Sequence, residues 1–246
     1  MELVTFEGVR KVYPDLETAR FTSLRRTPAA QRKVHVGVRG LTLAVSAGEG
    51  VGILGEPESG RTTVLHLMSG VLRPDDGAVL VRGTATGLVA AGAGLSNDFS
   101  VRDNVVFGSV LLGTPRHEAS AGADEIIEYA DLIDEQDTKL RDLTAVARRR
   151  LGYSIALFCN PTVFLADEDL LTGSPVMRET ALERLANYPD PSHALVVVTN
   201  NVKYLRRLCH RALVLRRGQL VFDGPLGEGI KEYRRTEQRG KKGSGG

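Results

Sequence analysis

Short apolar runs in the first third of the chain alternate with polar turns, and one longer segment has helical spacing. In residues 62–70 the apolar side chains recur at helical intervals and Gly70 follows them, which predicts a helix with a glycine stop. Residues 74–77 (P-D-D-G) are a turn signal. The pattern predicts strands at residues 3–6, 41–45, 51–54 and 78–81.

The pattern becomes helical between about residues 96 and 158, most clearly at 124–132 and 145–158. Beyond this block, strand-like runs return on both sides of a helical segment at 175–187. Strands at both ends with helices between them predict one α/β domain that carries a helical insertion. The later strands are predicted at residues 162–166, 195–198, 212–215 and 220–222, the last two forming a hairpin around Arg217 and Gly218.

Two segments have neither the helical nor the strand-like hydrophobic pattern. Residues 14–35 are irregular and basic, and we interpret them as an insertion. The chain ends in a basic, glycine-rich stretch at 236–246, which predicts a flexible tail beyond a domain that covers residues 1–235.

Composition narrows the function classes. The 246 residues are 42% hydrophobic, enough for one large domain, and a net charge of +2 argues against a nucleic-acid partner. Cys159 and Cys209 lie far apart in the sequence, so we expect no disulfide framework and a reducing compartment. Because neither a signal segment nor a bilayer-length apolar run is present, we expect a soluble chain whose membrane role depends on a partner.

A glycine-rich loop lies between the predicted strand 51–54 and the helix 62–70. Its sequence G-E-P-E-S-G-R-T, residues 55–62, matches the phosphate-binding pattern G-x-x-x-x-G-K-[ST] at every fixed position except the lysine. Glycines let backbone N–H groups wrap phosphates, the helix N-terminus adds positive potential, and the Thr62 hydroxyl can reach a magnesium ion. Taken alone, the loop could also be an ordinary glycine-rich turn.

An acidic pair, Asp167 and Glu168, follows the predicted buried strand 162–166. In P-loop ATPases a carboxylate at such a strand end holds magnesium, and one can polarise water. The alternative is that both are solvated turn residues. The separation of about a hundred residues between the glycine-rich loop and the acidic pair argues against that alternative.

Together these stretches resemble the ABC ATPases over residues 2–235. Residues 9–13 (V-R-K-V-Y) resemble the family's adenine-stacking loop, with Tyr13 as the aromatic residue, and residues 70–77 and 211–224 resemble the segment after the P-loop helix and the closing hairpin. The resemblance implies a P-loop α/β fold with a RecA-like core, an antiparallel β-subdomain and a helical subdomain near 96–158.

The resemblance also implies the site residues. Glu168 would act on water, Asn200 would stand at the switch position, and Thr62 and Asp167 would hold Mg2+. The residues expected to contact ATP are Tyr13, Gly55, Glu56, Pro57, Glu58, Ser59, Gly60, Arg61, Thr62, Thr63 and Thr144.

The insertion at 14–35 and the stretches 88–94 and 100–105 resemble the subgroup that exports polysaccharide, O-antigen or teichoic acid. The partners implied are a transmembrane permease subunit and a second nucleotide-binding subunit, in a homodimer or a heterodimer. The place implied is the cytoplasmic face of the cell membrane, as a peripheral protein.

Five motifs of the family pattern are altered in this chain. Arg61 replaces the phosphate-binding lysine, and its planar fork places donors differently from an ammonium. The signature loop falls on residues 143–147, where Ala145 and Val146 replace glycines beside Thr144. The other replacements are Asn200 for the switch histidine, a position near Ala90 for a glutamine (a glutamate in this subgroup), and Ser174 for an aspartate.

These departures predict a slow or silent ATPase that still holds nucleotide, although Glu168 is retained. Three hypotheses stay open: a working transport ATPase, a non-catalytic nucleotide-binding subunit, and a scaffold that binds no nucleotide. The retained nucleotide residues favour the second.

Overall fold

A computed structural model describes residues 1–14, 34–87, 94–167 and 175–243. The predicted insertion, apart from residues 14, 34 and 35, lies outside the described residues, as do Glu168, Ala90 and Ser174. The described strands form two sheets. One is antiparallel with three strands, and the other is mixed with six.

The antiparallel sheet contains β1 (Glu2–Pro14), β2 (Val34–Ser46) and β4 (Asp76–Val81), with β1 in the middle. Both β1 and β2 are longer than predicted, because the register shifts near Gly8 interrupt the alternation from which strand ends were read. Gly8 has a φ of 59°, which glycine adopts readily.

The six-stranded sheet has the order β5-β6-β7-β3-β8-β9. The strands β6, β7 and β3 are buried at every position and pair in parallel, as expected for a sheet covered by helices on both faces. The predicted hairpin is confirmed, and its turn has Arg217 and Gly218 at φ 48° and 79°. The strand bounds are β3 Gly50–Gly55, β5 Ala85–Gly87, β6 Val163–Ala166, β7 Ala194–Val198, β8 Arg211–Arg216 and β9 Gln219–Pro225.

Three apolar clusters stabilise the fold. The first lies between the two sheets and the second on the other face of the mixed sheet. Helix α1 (Arg61–Met68) packs between the two sheets on one face of the mixed sheet. On the other face lie α6 (Pro175–Ala186), α7 (Val202–Leu208) and α8 (Leu226–Gly243). The predicted α/β core and the antiparallel subdomain are therefore confirmed.

The third cluster belongs to the helical subdomain. Its helices are α2 (Val101–Leu111), α3 (Arg116–Ala121), α4 (Ala123–Tyr129) and α5 (Ala145–Phe158). The α5 bounds match the prediction, because Thr144 caps the helix by accepting a hydrogen bond from the Ala147 N–H at 3.1 Å.

The end of the chain differs from the prediction. Where a flexible tail was expected at 236–246, helix α8 continues to Gly243, and residues 244–246 lie outside the described residues. Leu226, Ile230 and Tyr233 recur at helical spacing and pack in the second cluster, a pattern that the glycine and lysine content concealed.

No helix in the described ranges is both long and apolar enough to cross a bilayer. Cys159 and Cys209 are free and buried. Burial raises the pKa of the Cys209 thiol to about 12.

Candidate nucleotide-binding site

Three of the predicted site segments meet at one edge of the mixed sheet. Strand β7 pairs in parallel with both β3 and β6, so the three carboxyl ends are neighbours. Gly55 ends β3, Asp167 follows β6, and Asn200 follows β7 by two residues. Ligands of open α/β sheets bind outside the carboxyl ends of the strands, so this edge is the candidate site.

The glycine-rich loop connects β3 to α1 at this edge. Within it the Ser59 N–H donates to the Glu56 carbonyl at 3.1 Å, and the Gly60 carbonyl accepts from the Val64 N–H at 3.0 Å. Gly60 is the helix N-cap residue and has a φ of 102°. The first N–H groups of α1 therefore face the loop, as an anion site requires.

Both fixed glycines are required by the backbone itself. A Cβ at Gly55 would overlap the Ser59 hydroxyl and lie 2.7 Å from the Leu215 carbonyl oxygen. A Cβ at Gly60 would overlap the Gly37 carbonyl oxygen. The two glycines thus allow the loop to pack against β8 and β2, whether or not phosphate binds there.

The turn of the closing hairpin is hydrogen-bonded to the glycine-rich loop. The Gly218 N–H donates to the Ser59 carbonyl at 2.9 Å, and the Gly218 carbonyl accepts from the Arg39 N–H at 2.8 Å. The Ser59 side chain is 3% exposed, and its hydroxyl has no hydrogen-bond partner in the described part of the chain. The loop is therefore held at its centre by a segment more than 150 residues away in sequence.

Arg61 and Asn200, two of the departures from the family pattern, are in contact. The Arg61 Nη1 donates to Asn200 Oδ1 at 3.1 Å. The same carboxamide donates from Nδ2 to the Gly55 carbonyl at 3.2 Å, and its Oδ1 also accepts the Gly55 N–H at a longer 3.5 Å. The guanidinium is thus held next to β7 at the start of the loop.

Glu58 was predicted to contact ATP, but its backbone conformation was not predicted from the sequence. Its side chain is exposed, and its backbone has a φ of 62°, the left-handed region that disfavours residues other than glycine, asparagine and aspartate. With Glu56, two carboxylates stand in this loop against the one guanidinium of Arg61. An acidic residue in a loop expected to hold an anion was the available signal.

Tyr13 lies near the first turn of α1. Its hydroxyl is 3.2 Å from Thr63 Oγ1, and its half-buried ring covers Gly37, where a Cβ would lie 2.7 Å from the ring. The aromatic residue and the phosphate loop are therefore close together, as an adenine-binding role requires.

Thr62 and Asp167 offer the oxygen donors that Mg2+ prefers. The Thr62 side chain is exposed in the first turn of α1, and Asp167 is half-buried directly after β6. Mg2+ is commonly held by one or two protein oxygens together with phosphates and water, so a hydroxyl and a carboxylate at this edge fit the ion.

The signature-like loop is not brought to the phosphate loop within one chain. Thr144 lies in the helical subdomain, and its hydrogen bonds among the described residues go to Ala147 and Arg148 at the start of α5. Next to it, Val146 is 73% exposed. An apolar side chain thus projects at the helix start where the family pattern has glycine.

The fold and the loop define a P-loop nucleotide-binding domain of the ATP-binding cassette type. A family model described as ABC transporter matches residues 38–170, which is more than half of the chain, and the chain belongs to this family.

Curated relatives agree with this assignment. The chain is 28% identical to the ABC transporter protein AbcA of Aeromonas salmonicida, over 90% of this chain and 72% of that protein. It is 30% identical to the teichoic acids export ATP-binding protein TagH of Levilactobacillus brevis, over 79% of this chain and 54% of that protein. It is also 30% identical to the O-antigen export system ATP-binding protein RfbB of Myxococcus xanthus, over 80% of this chain and 45% of that protein. The chain therefore spans about half the length of the last two relatives.

Solved structures support the fold. The ATP-binding cassette MJ0796, in a dimeric post-hydrolysis state bound to ADP and Pi, aligns with a TM-score of 0.70 and 19% identity, covering 91% of this chain and 98% of that one. The structure of an ATP binding subunit of an ABC transporter aligns with a TM-score of 0.73 and 15% identity, covering 94% of this chain and 93% of that one.

Proposed function

We propose that this chain is the nucleotide-binding subunit of a polysaccharide-type ABC exporter, which binds ATP with Mg2+ and hydrolyses it weakly or not at all. The observation that carries the proposal is the hydrogen bond from Arg61, in an otherwise complete P-loop, to Asn200 beyond the end of β7. The loop backbone and α1 keep the geometry for phosphate, while the two side chains expected to act on phosphate are bonded to each other.

Nucleotide binding follows from the chemistry of the edge. Backbone N–H groups of residues 55–62 and the α1 N-terminus suit the phosphates, and the Tyr13 ring suits the adenine. Thr62 and Asp167 would hold Mg2+, whose charge would offset the phosphates and the carboxylates of the loop.

Weak hydrolysis follows from what the substituted side chains can do. Asparagine at position 200 has no titratable group, so unlike histidine it cannot accept or release a proton during hydrolysis. The guanidinium of Arg61 is bonded to Asn200 at 3.1 Å, which limits its alignment on a transferring phosphoryl group. The exposed Val146 would stand where a facing subunit's phosphates approach.

The export role rests on the relatives named for teichoic acid and O-antigen export, together with the subgroup resemblance of the sequence. A third relative, 31% identical, is named as a Nod factor export ATP-binding protein of Burkholderia thailandensis. All three names refer to export. We therefore place this subunit at the cytoplasmic face of the cell membrane, as a peripheral protein.

A permease subunit would dock on the helical subdomain. There a cavity of about 670 Å³ is lined by Phe99 and by residues of α2 and α3. Phe99 and Phe107, whose rings meet edge to face with centroids 5.6 Å apart, are 42% and 39% exposed at this cavity. Exposed aromatic pairs rimmed by Arg102 and Arg116 are typical of a protein-binding surface. A second nucleotide-binding subunit, identical or different, would face the phosphate loop.

The deciding experiment measures Mg2+-dependent ATP binding and phosphate release by the purified chain, with Glu168→Gln as the control for contaminating ATPase. Binding with no release above that variant supports the proposal. Release that disappears in Glu168→Gln would show a working transport ATPase instead, and absence of binding would leave the scaffold hypothesis. The same assay with the permease and partner subunit present tests whether assembly restores turnover.

A further inference from the structure

We propose that Asn200 is a positioning residue that clamps the two ends of the phosphate-binding loop and so prepares it for phosphate. One carboxamide reaches Gly55, which opens the loop, through Nδ2 at 3.2 Å and Oδ1 at 3.5 Å. Its Oδ1 also accepts from Arg61, near the other end of the loop, at 3.1 Å. The five residues between these two ends form the turn that would surround a phosphate.

The residues that flank Asn200 fix its backbone to the core. The residues on either side of Asn200 are bonded to each other, since the Thr199 hydroxyl accepts from the Asn201 N–H at 3.0 Å. Thr199 is 2% exposed, and Asn201 caps α7 by accepting from the Lys203 N–H at 3.1 Å. Asn200 is thus held between the buried strand β7 and the start of a helix, with little freedom to move away from the loop.

The side-chain chemistry suits this arrangement. A carboxamide offers a donor and an acceptor on one rigid plane, so it can bond both the carbonyl and the N–H of Gly55. Aspartate has the same shape but cannot donate to the Gly55 carbonyl when it is ionised. A guanidinium has five N–H donors in a fixed plane, so Arg61 can donate to Asn200 with a directional control that a lysine ammonium lacks.

Two replacements that looked independent in the sequence are therefore one structural unit. The lysine-to-arginine change supplies the reach and the extra donors, and the histidine-to-asparagine change supplies the acceptor. In this chain the residue at the switch position holds the loop before nucleotide arrives. The consequence for nucleotide rests on the proposed function, whereas the clamp itself concerns the free protein.

The experiment compares Asn200→Ala with wild type by amide hydrogen exchange over residues 55–64 and by Mg-ATP titration. Loss of the clamp should speed exchange there and weaken Mg-ATP binding, each by about 3- to 10-fold, the effect of one to two lost hydrogen bonds. The matched control is Asn187→Ala, which truncates an exposed asparagine directly after α6 and should leave both values for the loop unchanged. Asn200→Asp keeps the oxygen that accepts from Gly55 and Arg61 and loses only the donor to the Gly55 carbonyl, so its exchange near Gly55 should lie between wild type and Asn200→Ala. Thermal unfolding verifies that each variant is folded.

A double-mutant cycle tests the pairing. In an Arg61→Ala background, Asn200→Ala should weaken Mg-ATP binding less than it does in wild type, because part of the clamp is already lost. Unchanged exchange at 55–64 in Asn200→Ala would overturn the clamp, and faster exchange with unaltered ATP affinity would overturn its role in preparing the loop. If wild type binds no Mg-ATP, the proposed function fails, and the exchange comparison alone still decides whether the clamp exists.

Discussion

The hydroxyl of Tyr13 lies 3.2 Å from the hydroxyl oxygen of Thr63, joining the end of β1 to the first turn of α1. The antiparallel sheet and the phosphate-loop helix are thereby fixed relative to each other at the point where an adenine would approach. The same ring covers Gly37, whose carbonyl oxygen leaves no room for a side chain at Gly60. Tyr13 is therefore both a packing residue and a candidate base-stacking residue, and the two roles can be separated.

Replacing Tyr13 by phenylalanine and by alanine separates them. Tyr13→Phe removes the bond to Thr63 and should cost about 1 kcal/mol of unfolding free energy with little change in ATP affinity. Tyr13→Ala also removes the ring and should weaken ATP binding by about 1–3 kcal/mol, the usual value of a base stacked on an aromatic side chain. Denaturant unfolding and ATP titration measure the two quantities. Equal ATP affinity in both variants would remove Tyr13 from the nucleotide site.

The parallel core and the loop were predictable because their signals are local. Uninterrupted apolar runs mark β3, β6 and β7, and the glycine spacing of residues 55–62 marks the loop within a few residues of one strand. Helix α5 was also predicted at its observed bounds. In each case one short window of sequence contains the whole pattern.

What the sequence did not reveal depends on distant contacts or on short elements. The contact between Arg61 and Asn200 joins residues 139 positions apart, and no local pattern encodes it. Strand β5 has three residues and exists because it pairs with β6. Helix α8 carries glycines and charges that suggest a tail, yet its apolar stripe is stabilised by packing on β8 and β9.

Glu58→Gly should stabilise the protein. A left-handed backbone costs a residue with a Cβ about 1–2 kcal/mol, and the greater chain entropy of unfolded glycine offsets part of the gain, so an increase of up to about 1 kcal/mol is expected. The substitution also removes a negative charge from the loop and should tighten Mg-ATP binding. Denaturant unfolding and nucleotide titration measure the two changes.

Glu58→Gln is the matched control, because it removes the charge and keeps the backbone demand. It should tighten Mg-ATP binding like Glu58→Gly but leave the unfolding free energy nearly unchanged. If glutamine stabilises as much as glycine, charge repulsion rather than backbone conformation explains the stability effect. If neither variant binds ATP more tightly, Glu58 does not face the phosphates.

Asp167→Asn should weaken Mg2+-dependent ATP binding by about tenfold or more, because a neutral amide replaces a carboxylate ligand of similar size. ATP binding measured in excess chelator should change little, or should tighten slightly as a negative charge is lost. Titrations with and without Mg2+ give both values, and the exposed Asp137→Asn is the control for loss of a surface charge. Unchanged Mg2+-dependent binding would remove Asp167 from the metal site.

Asp75 makes the free energy of unfolding depend on pH through its contacts with β1, the strand that carries Tyr13. Its carboxylate accepts the Val12 N–H at 2.7 Å and pairs with the Lys11 ammonium at 2.9 Å, and these two interactions hold the pKa of Asp75 below its usual value. A carboxyl whose pKa is lower in the folded state stabilises that state above its unfolded pKa, near ~4, and this contribution is lost as pH falls through the folded pKa. Asp75→Asn should therefore lower the denaturant midpoint at pH 7, and the difference from wild type should shrink as the pH is lowered below about 4. The control is Asn at the exposed position Asp134 (Asp134→Asn), measured in parallel from pH 7 to pH 3, which should show no such convergence. If the difference between Asp75→Asn and wild type stays constant over that range, the carboxylate charge does not stabilise the end of β1.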